Sequence, residues 1–286
     1  MSIRIDGKMV SDLTRARIKA DADQLKDTLG ITPSLAVIMV GDNPASAVYV
    51  QGKHRACLAC GIRSLAFSYD AGITEDVLLA KIDELNADPT VHGILVQLPL
   101  PRHIDEGRVQ RRIAPEKDVD AFHPENVGLL MTGDIRFAPC TPMGIITLLK
   151  HYNIEMEGKN CVIVGRSNIV GKPMAHLMLR ENATVTVCHS RTKDLPKITR
   201  LADILIVAIG RAKFITADMV KPGAVVIDVG INRQEDGKLY GDADTAALES
   251  VASYITPVPG GVGPMTITTL LENTIRAARA FADKKM

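Results

Sequence analysis

Residues Cys161–Pro173 read CVIVGRSNIVGKP and residues Val185–Thr192 read VTVCHSRT; these two stretches decide the fold. The apolar, β-rich run Cys161–Val164 stops at Gly165, and Gly171 stands just before Lys172-Pro173 and an apolar-periodic segment. The order is strand, tight turn, helix start. A glycine in such a turn lets backbone approach a pyrophosphate, and the helix N-terminus offers it unpaired N–H groups. The match to G-x-G-x-x-G is loose, because Ser167 replaces the middle glycine and the outer glycines stand one residue further apart. A strand–glycine–helix turn needs no ligand, so the second stretch carries the discrimination.

In a Rossmann unit an acidic residue about 20 residues on, at the end of the second strand, binds the ribose 2′-hydroxyl of NAD; a cation there accepts the 2′-phosphate of NADP. Strand Val185–Cys188 ends in His189-Ser190-Arg191-Thr192, without a carboxylate, and a further cation, Arg166, lies inside the glycine turn. Arginine suits phosphate because its fork of donors is planar and always charged. Arg166 and Arg191, at the two places that would flank one ribose, select NADP.

The rest of the chain fits an α/β protein. Its 286 residues suffice for two domains, each with its own core. A hydrophobic content of 46% and a net charge of +1 carry no polyelectrolyte bias toward nucleic acid or anionic membrane. The opening MSIRIDGKMV has no apolar core of signal-peptide length, and the longest apolar run, Ile204–Ile209, is far short of a membrane span. The expected location is the cytoplasm. Five scattered cysteines read as reduced thiols. Cys57-x-x-Cys60, in the middle of a helical pattern without histidines nearby, reads as two small buried hydrophobes rather than a zinc or redox site.

Strand-like runs alternate with helical periodicity. Leu35–Val40, Ser64–Ser68 and Gly93–Leu98 read as strands, with helices over Ala45–Cys60 and over Glu75–Leu85, where Val77, Leu78, Ile82 and Leu85 share a face. Cys161–Val164, Val185–Cys188, Ile204–Ile209 and Ala224–Val229 are continuous apolar runs of the kind buried on both faces of a parallel sheet. Glycine and prolines in Gly133–Pro142 mark a boundary, and Cys140–Tyr152 reads as a helix. Ile267, Leu270, Leu271, Thr274, Ile275, Ala278 and Phe281 define a C-terminal amphipathic helix with Pro264 at its first position.

Several first-half residues carry chemistry. Tyr49 and Lys53, four apart in a helical segment, lie on one helix face after the turn Gly41–Pro44. Gln97 is a lone amide in the apolar strand that continues into Leu98-Pro99, and a buried amide needs partners. Glu116-Lys117-Asp118-Val119-Asp120 reads, as a bare pattern, as a solvated charge cluster. Three glycines and three prolines crowd Pro257–Met265, a density that folding alone does not demand.

Tyr49-x-x-x-Lys53, Val96-Gln97-Leu98-Pro99, Asp118-Val119-Asp120, Pro139-Cys140-Thr141-Pro142, Gly165-Arg166-Ser167 and Pro257–Thr266, in this order and spacing, closely resemble the bifunctional methylenetetrahydrofolate dehydrogenase/methenyltetrahydrofolate cyclohydrolase family over essentially the whole chain. Ala121 departs from it, standing where the family usually has glycine. The resemblance implies NADP-dependent oxidation of 5,10-methylenetetrahydrofolate to the 5,10-methenyl cation and hydrolysis of that cation to 10-formyltetrahydrofolate. It implies a homodimer with tetrahydrofolate derivatives as substrates. It also implies an N-terminal folate-binding catalytic domain (residues 1–138), a Rossmann-like NADP-binding domain (139–265), a cleft between them, and helix 266–286 packing back on the first.

Carried onto this sequence, the resemblance makes Lys53 the proton carrier, a role in which a partly desolvated lysine can be tuned toward neutral pKa. Gln97 orients it, Tyr49 stacks on the folate rings, and Asp120 accepts N–H donors of the pterin edge. Val96, Leu98, Pro259, Gly260, Gly261, Val262 and Gly263 line the folate site. Ser167, Ser190, Ile231 and Thr266 join Gly165, Arg166 and Arg191 around NADP. No metal is expected. The rival readings are another two-domain NADP dehydrogenase with a lysine/aspartate pair, similar to shikimate dehydrogenase, which would need neither the Tyr49-x-x-x-Lys53 helix nor the Pro259–Gly263 loop, and a non-catalytic dinucleotide sensor, which leaves Lys53, Gln97 and Asp120 unexplained.

Overall fold

The computed structural model describes residues 2–283. In chain order the first elements are β1 (Ile3–Arg4), α1 (Gly7–Leu29), β2 (Ser34–Val40), α2 (Pro44–Ala59), β3 (Arg63–Tyr69), α3 (Glu75–Ala87), β4 (Gly93–Val96), α4 (Glu106–Arg112) and α5 (Pro124–Thr132). There follow α6 (Cys140–His151), β5 (Asn160–Val164), α7 (Gly171–Arg180), β6 (Thr184–Cys188), α8 (Leu195–Thr199), β7 (Ile204–Val207) and β8 (Val225–Asp228). A short hairpin of β9 (Asn232–Arg233) and β10 (Leu239–Tyr240) leads to α9 (Thr245–Leu248), β11 (Tyr254–Ile255) and α10 (Val262–Asp283). The chain forms two compact units: Leu13–Ala138 with the chain from Ile267 onward, and the chain up to Asp12 with Pro139–Thr266. The resemblance implies a first domain of residues 1–138, but the chain up to Asp12 lies in the other unit, where β1 pairs with β11, Ile3 opposite Tyr254.

The unit holding Leu13–Ala138 is built on a parallel sheet of order β3-β2-β4. Central β2 is almost wholly buried, whereas edge strand β3 alternates half-buried and exposed residues. Parallel neighbours need crossovers, which α2 and α3 supply. Helix α3 starts at Thr74, whose hydroxyl accepts the Val77 N–H, and sends Leu78, Ile82 and Leu85 into a core with Ile38, Ile94 and Val109. Val77, expected on that face, is instead 48% exposed. From α10, Asn273 Nδ2 donates to the carbonyls of Val119 (2.8 Å) and Ala138 (3.1 Å).

The other unit carries a parallel sheet of order β1-β11-β8-β7-β5-β6. The chain runs from β5 outward to β6, then returns past β5 to β7, so the direction of winding reverses between β5 and β7. Ligands of open α/β sheets gather at the carboxyl ends of strands at such a reversal. Strands β7 and β8 are buried on both faces. Strand β6 departs from that expectation: it is an edge strand, with Thr184, Thr186 and Val187 exposed. Helix α10 begins at Val262, which puts Pro264 within its first turn rather than at its first position. Cys60 lies just past the end of α2, and all five cysteines are free and buried; burial pushes the Cys57 and Cys161 thiols up to about 12. Among the described residues no helix is long and apolar enough to cross a membrane.

Candidate functional site

At the carboxyl end of β2, Gly41 (φ +89°) turns the chain, and Asn43 Oδ1 accepts the Ser46 N–H at 3.2 Å to start α2. That cap aims the helix face carrying Tyr49 and Lys53. Lys53 is 7% exposed, and its Nζ donates to Gln97 Oε1 at 3.0 Å. Gln97 lies one residue beyond β4, and its backbone N–H extends the ladder by donating to Ile38 O at 2.8 Å. Its Nε2 donates to Leu98 O at 2.8 Å, which fixes the amide so that the oxygen faces the lysine. None of the ion pairs among the described residues involves Lys53. A buried ammonium without a carboxylate is costly, and the arrangement suits a group that meets its substrate. Tyr49 is 41% exposed, leaving ring surface for stacking, and partial burial raises its phenol so that it stays protonated.

The acidic segment is not a solvated cluster. Lys117 is 1% exposed, and its Nζ donates to the carbonyls of Leu85 (2.9 Å), Asn86 (2.8 Å) and Asp88 (2.7 Å), closing the C-terminal end of α3. Asp118 is buried, accepting from the His123 N–H and Asn126 Nδ2, both at 2.8 Å, and desolvation raises its carboxyl. With Val119 O held by Asn273, three successive residues are pinned, and half-buried Asp120 emerges beside Val96, Leu98 and Phe122 in a small pocket. Ala121 pays for the turn, with φ +62° at 1% exposure. That backbone region costs an L-residue about 1–2 kcal/mol, while glycine adds about 0.4–1 kcal/mol of unfolded-state entropy. Ala121→Gly should therefore leave stability unchanged or raise it by up to about 1.5 kcal/mol. A loss beyond about 0.5 kcal/mol in urea melts would show that the Ala121 methyl packs for more than its strain costs.

In the six-stranded unit Gly165 has φ +134°, and a Cβ there would fall on the Ala208 carbonyl oxygen after β7. A Cβ at Gly171 would strike Gly165 O, so both glycines are required by close approach of the turn to α7 and β7. Ser167 Oγ accepts the N–H groups of Val170 (3.2 Å) and Gly171 (3.4 Å), which leaves its own proton to donate outward. Val164 pairs with Cys188, so the turn carrying Arg166 and the exposed Ser190-Arg191 leave neighbouring strand ends. Both arginines are exposed and belong to none of the ion pairs among the described residues. A glycine cradle, an outward hydroxyl and two free guanidiniums fit a phosphorylated dinucleotide.

Ile231 is 47% exposed, and Gly263 faces its Cδ1. The Thr266 hydroxyl is already bonded to that of Thr141 at 2.9 Å. Folding does demand two of the three loop glycines. Gly260 has φ +101°, and a Cβ on Gly261 would meet Pro257 O at 2.5 Å. The start of α1 packs tightly on the same loop, with Lys8 N–H donating to Gly260 O at 3.1 Å. Asp228 and Asp242, outside every motif of the sequence, are both fully buried in this unit. Asp228 sits in the run Ala224–Val229 as Gln97 sits in its own, so the lone-polar signal was present. Among the described residues no group of His, Cys, Asp and Glu is arranged to hold a metal ion.

Sequence models of the tetrahydrofolate dehydrogenase/cyclohydrolase catalytic domain and NAD(P)-binding domain match residues 5–120 and 139–282. The bifunctional protein FolD of Geobacillus thermodenitrificans is 61% identical over 280 residues, 98% of each chain. The crystal structure of the bifunctional FolD dehydrogenase/cyclohydrolase of Campylobacter jejuni is similar at TM-score 0.96 and 52% identity, covering 98% of this chain and 99% of that one. The Trypanosoma brucei dehydrogenase-cyclohydrolase, complexed with NADP cofactor and an inhibitor, is similar at TM-score 0.94 and 37% identity over 98% of both chains.

Proposed function

Because the chain belongs to the tetrahydrofolate dehydrogenase/cyclohydrolase family, we propose that Lys53, Gln97, Tyr49 and Asp120 work on the folate while Gly165, Arg166, Ser167, Ser190, Arg191, Ile231 and Thr266 hold the dinucleotide. The enzyme oxidises 5,10-methylenetetrahydrofolate to the 5,10-methenyl cation and hydrolyses that cation to 10-formyltetrahydrofolate, with NADP as cofactor. Bound NADP⁺ supplies the hydride acceptor. The product cation is stabilised by its own two nitrogens, so the protein's task in oxidation is positioning. Tyr49 and Asp120 take it, one by stacking on the ring system and the other by accepting from the pterin's N–H edge.

Hydrolysis asks more of the side chains. Water adds to the amidinium carbon and releases one proton; a second proton passes from the new hydroxyl to N5 as the C–N5 bond breaks. The observation that carries the assignment is the buried Lys53 Nζ held at 3.0 Å by the oriented Gln97 oxygen. Gln97 engages one of the amine's hydrogens and leaves the rest of the group for proton transfer to and from the folate. Lining from Pro259, Gly260, Gly261, Val262 and Gly263 completes the folate reading, alongside Val96 and Leu98. Absorbance assays of methylenetetrahydrofolate oxidation and of methenyltetrahydrofolate hydrolysis on the pure protein test it, and absence of accelerated hydrolysis would sink it.

The dinucleotide half has its own test. Arg166→Ala should weaken NADP by about 1.5–3 kcal/mol, the value of a hydrogen bond to a charged group, and NAD far less. Equal losses for the two dinucleotides would remove Arg166 from the 2′-phosphate. The enzyme acts in the cytoplasm as a homodimer, a reading supported by five free, buried thiols and the exposed edge of β6. Light scattering at assay concentrations checks the dimer.

A further inference from the structure

Two carboxylates that these reactions do not use are sealed inside the six-stranded unit. Asp228 ends β8 and is 1% exposed; Asp242 follows β10 and is 0% exposed. Asp242 accepts the N–H groups of three successive residues, Ile209 (2.6 Å), Gly210 (2.9 Å) and Arg211 (2.8 Å), and Asn232 Nδ2 at 2.9 Å. Asp228 accepts those of Gly230 (3.0 Å), Asp242 (2.8 Å) and Ala243 (2.8 Å). A Cβ at Gly230 would fall on the Asp242 carboxylate, and one at Gly241 on that of Asp228. Burial, with a smaller push from the Asp242 charge, raises Asp228 to about 6 despite its N–H donors.

Holding two like charges out of water is expensive, and a loop does not need such an arrangement merely to turn. Three successive N–H groups converging on one anion form a nest, and here the protein supplies the anion. The nest directly follows β7, across the winding reversal from the glycine turn. Its neighbour Ala208 is the residue whose carbonyl a Cβ at Gly165 would strike. The same carboxylate, through Asn232, holds the start of β9 next to Ile231. One side chain thus ties down both loops that leave the carboxyl ends of β7 and β8.

We infer that Asp242 is a positioning residue for dinucleotide binding, setting the Ile209–Arg211 loop and the Ile231 segment in place before the cofactor arrives. The inference rests on the NADP reading above. Asp242→Asn keeps the shape but turns one acceptor into an NH₂ group that faces backbone N–H. Its NADP dissociation constant, measured by calorimetry, should rise about tenfold or more, the weight of one good hydrogen bond. Methenyltetrahydrofolate hydrolysis, which consumes no dinucleotide, should fall far less.

In the free wild-type enzyme the Ile209, Gly210 and Arg211 amides should exchange slowly, and saturating NADP should not slow them further. An unchanged NADP dissociation constant in folded Asp242→Asn overturns the inference. So do amides that become protected only when NADP is added, and that wild-type measurement decides alone if the variant does not fold. A wild-type enzyme that fails to bind NADP would instead refute the cofactor reading.

Discussion

Replacing Lys53 by Met should lower methenyltetrahydrofolate hydrolysis by about 10²–10⁴-fold, the usual size of a general acid–base contribution, while oxidation of methylenetetrahydrofolate suffers less. Met keeps the length and much of the packing of a side chain that is 7% exposed, and it removes the amine that Gln97 holds. Hydride transfer needs no protein proton carrier, so any loss there measures misplacement of the folate. Gln97→Ala should give a milder form of the same pattern, because its Oε1 orients the amine without itself carrying the proton. Both activities must be measured on each variant. Hydrolysis left intact in Lys53→Met would reduce Lys53 to a binding residue.

The second large effect is on stability. Lys117→Met should destabilise the protein by about 3–5 kcal/mol, the cost of three acceptors left without their donor less that of burying the ammonium. The variant leaves three carbonyls at the end of α3 without their donor. Each unsatisfied acceptor costs about 1–3 kcal/mol, and relief from burying the ammonium offsets part of that sum. At about 2–4 °C per kcal/mol for a domain of this size, the melting temperature should fall by roughly 6–20 °C. Thermal melts followed by circular dichroism measure it. A drop under about 2 °C would mean water reaches these carbonyls.

These two lysines show what a sequence can disclose. Lys53 could be singled out because a helix brings residues four apart onto one face, and Gln97 because a lone amide interrupts an apolar strand. Both signals are local. Lys117 and Asp118 misread as surface because adjacent opposite charges look solvated, and the carbonyls that Lys117 serves lie about thirty residues earlier in the chain. Fold followed the same division. Strands β2, β7 and β8 are legible because burial on both faces fills them with apolar residues, the polar ones, Ser34 and Asp228, standing only at their ends. Helix α1 escaped because Ser11, Thr14 and Ala22 interrupt its buried line of Val10, Ile18 and Leu25. The edge position of β6 leaves no mark in an apolar run, since pairing partners are set by the winding of the sheet.

The place of α10 also bears on how the protein is made. Its Asn273 amide satisfies the carbonyls of Val119 and Ala138, and Ile275 and Ala278 are buried with it. A ribosome delivers Leu13–Ala138 first and Ile267 onward only after all of Pro139–Thr266 has been threaded out. At roughly 5–20 residues per second that interval is on the order of ten seconds. During it the lysine-bearing half of the nascent enzyme is a structure missing its closing helix, with acceptors and apolar surface that only later residues can cover. Pausing translation in this window should therefore make the half-built chain a client for chaperones, and a fragment cut at Ala138 should fold only when a peptide spanning Ile267–Asp283 is supplied in trans.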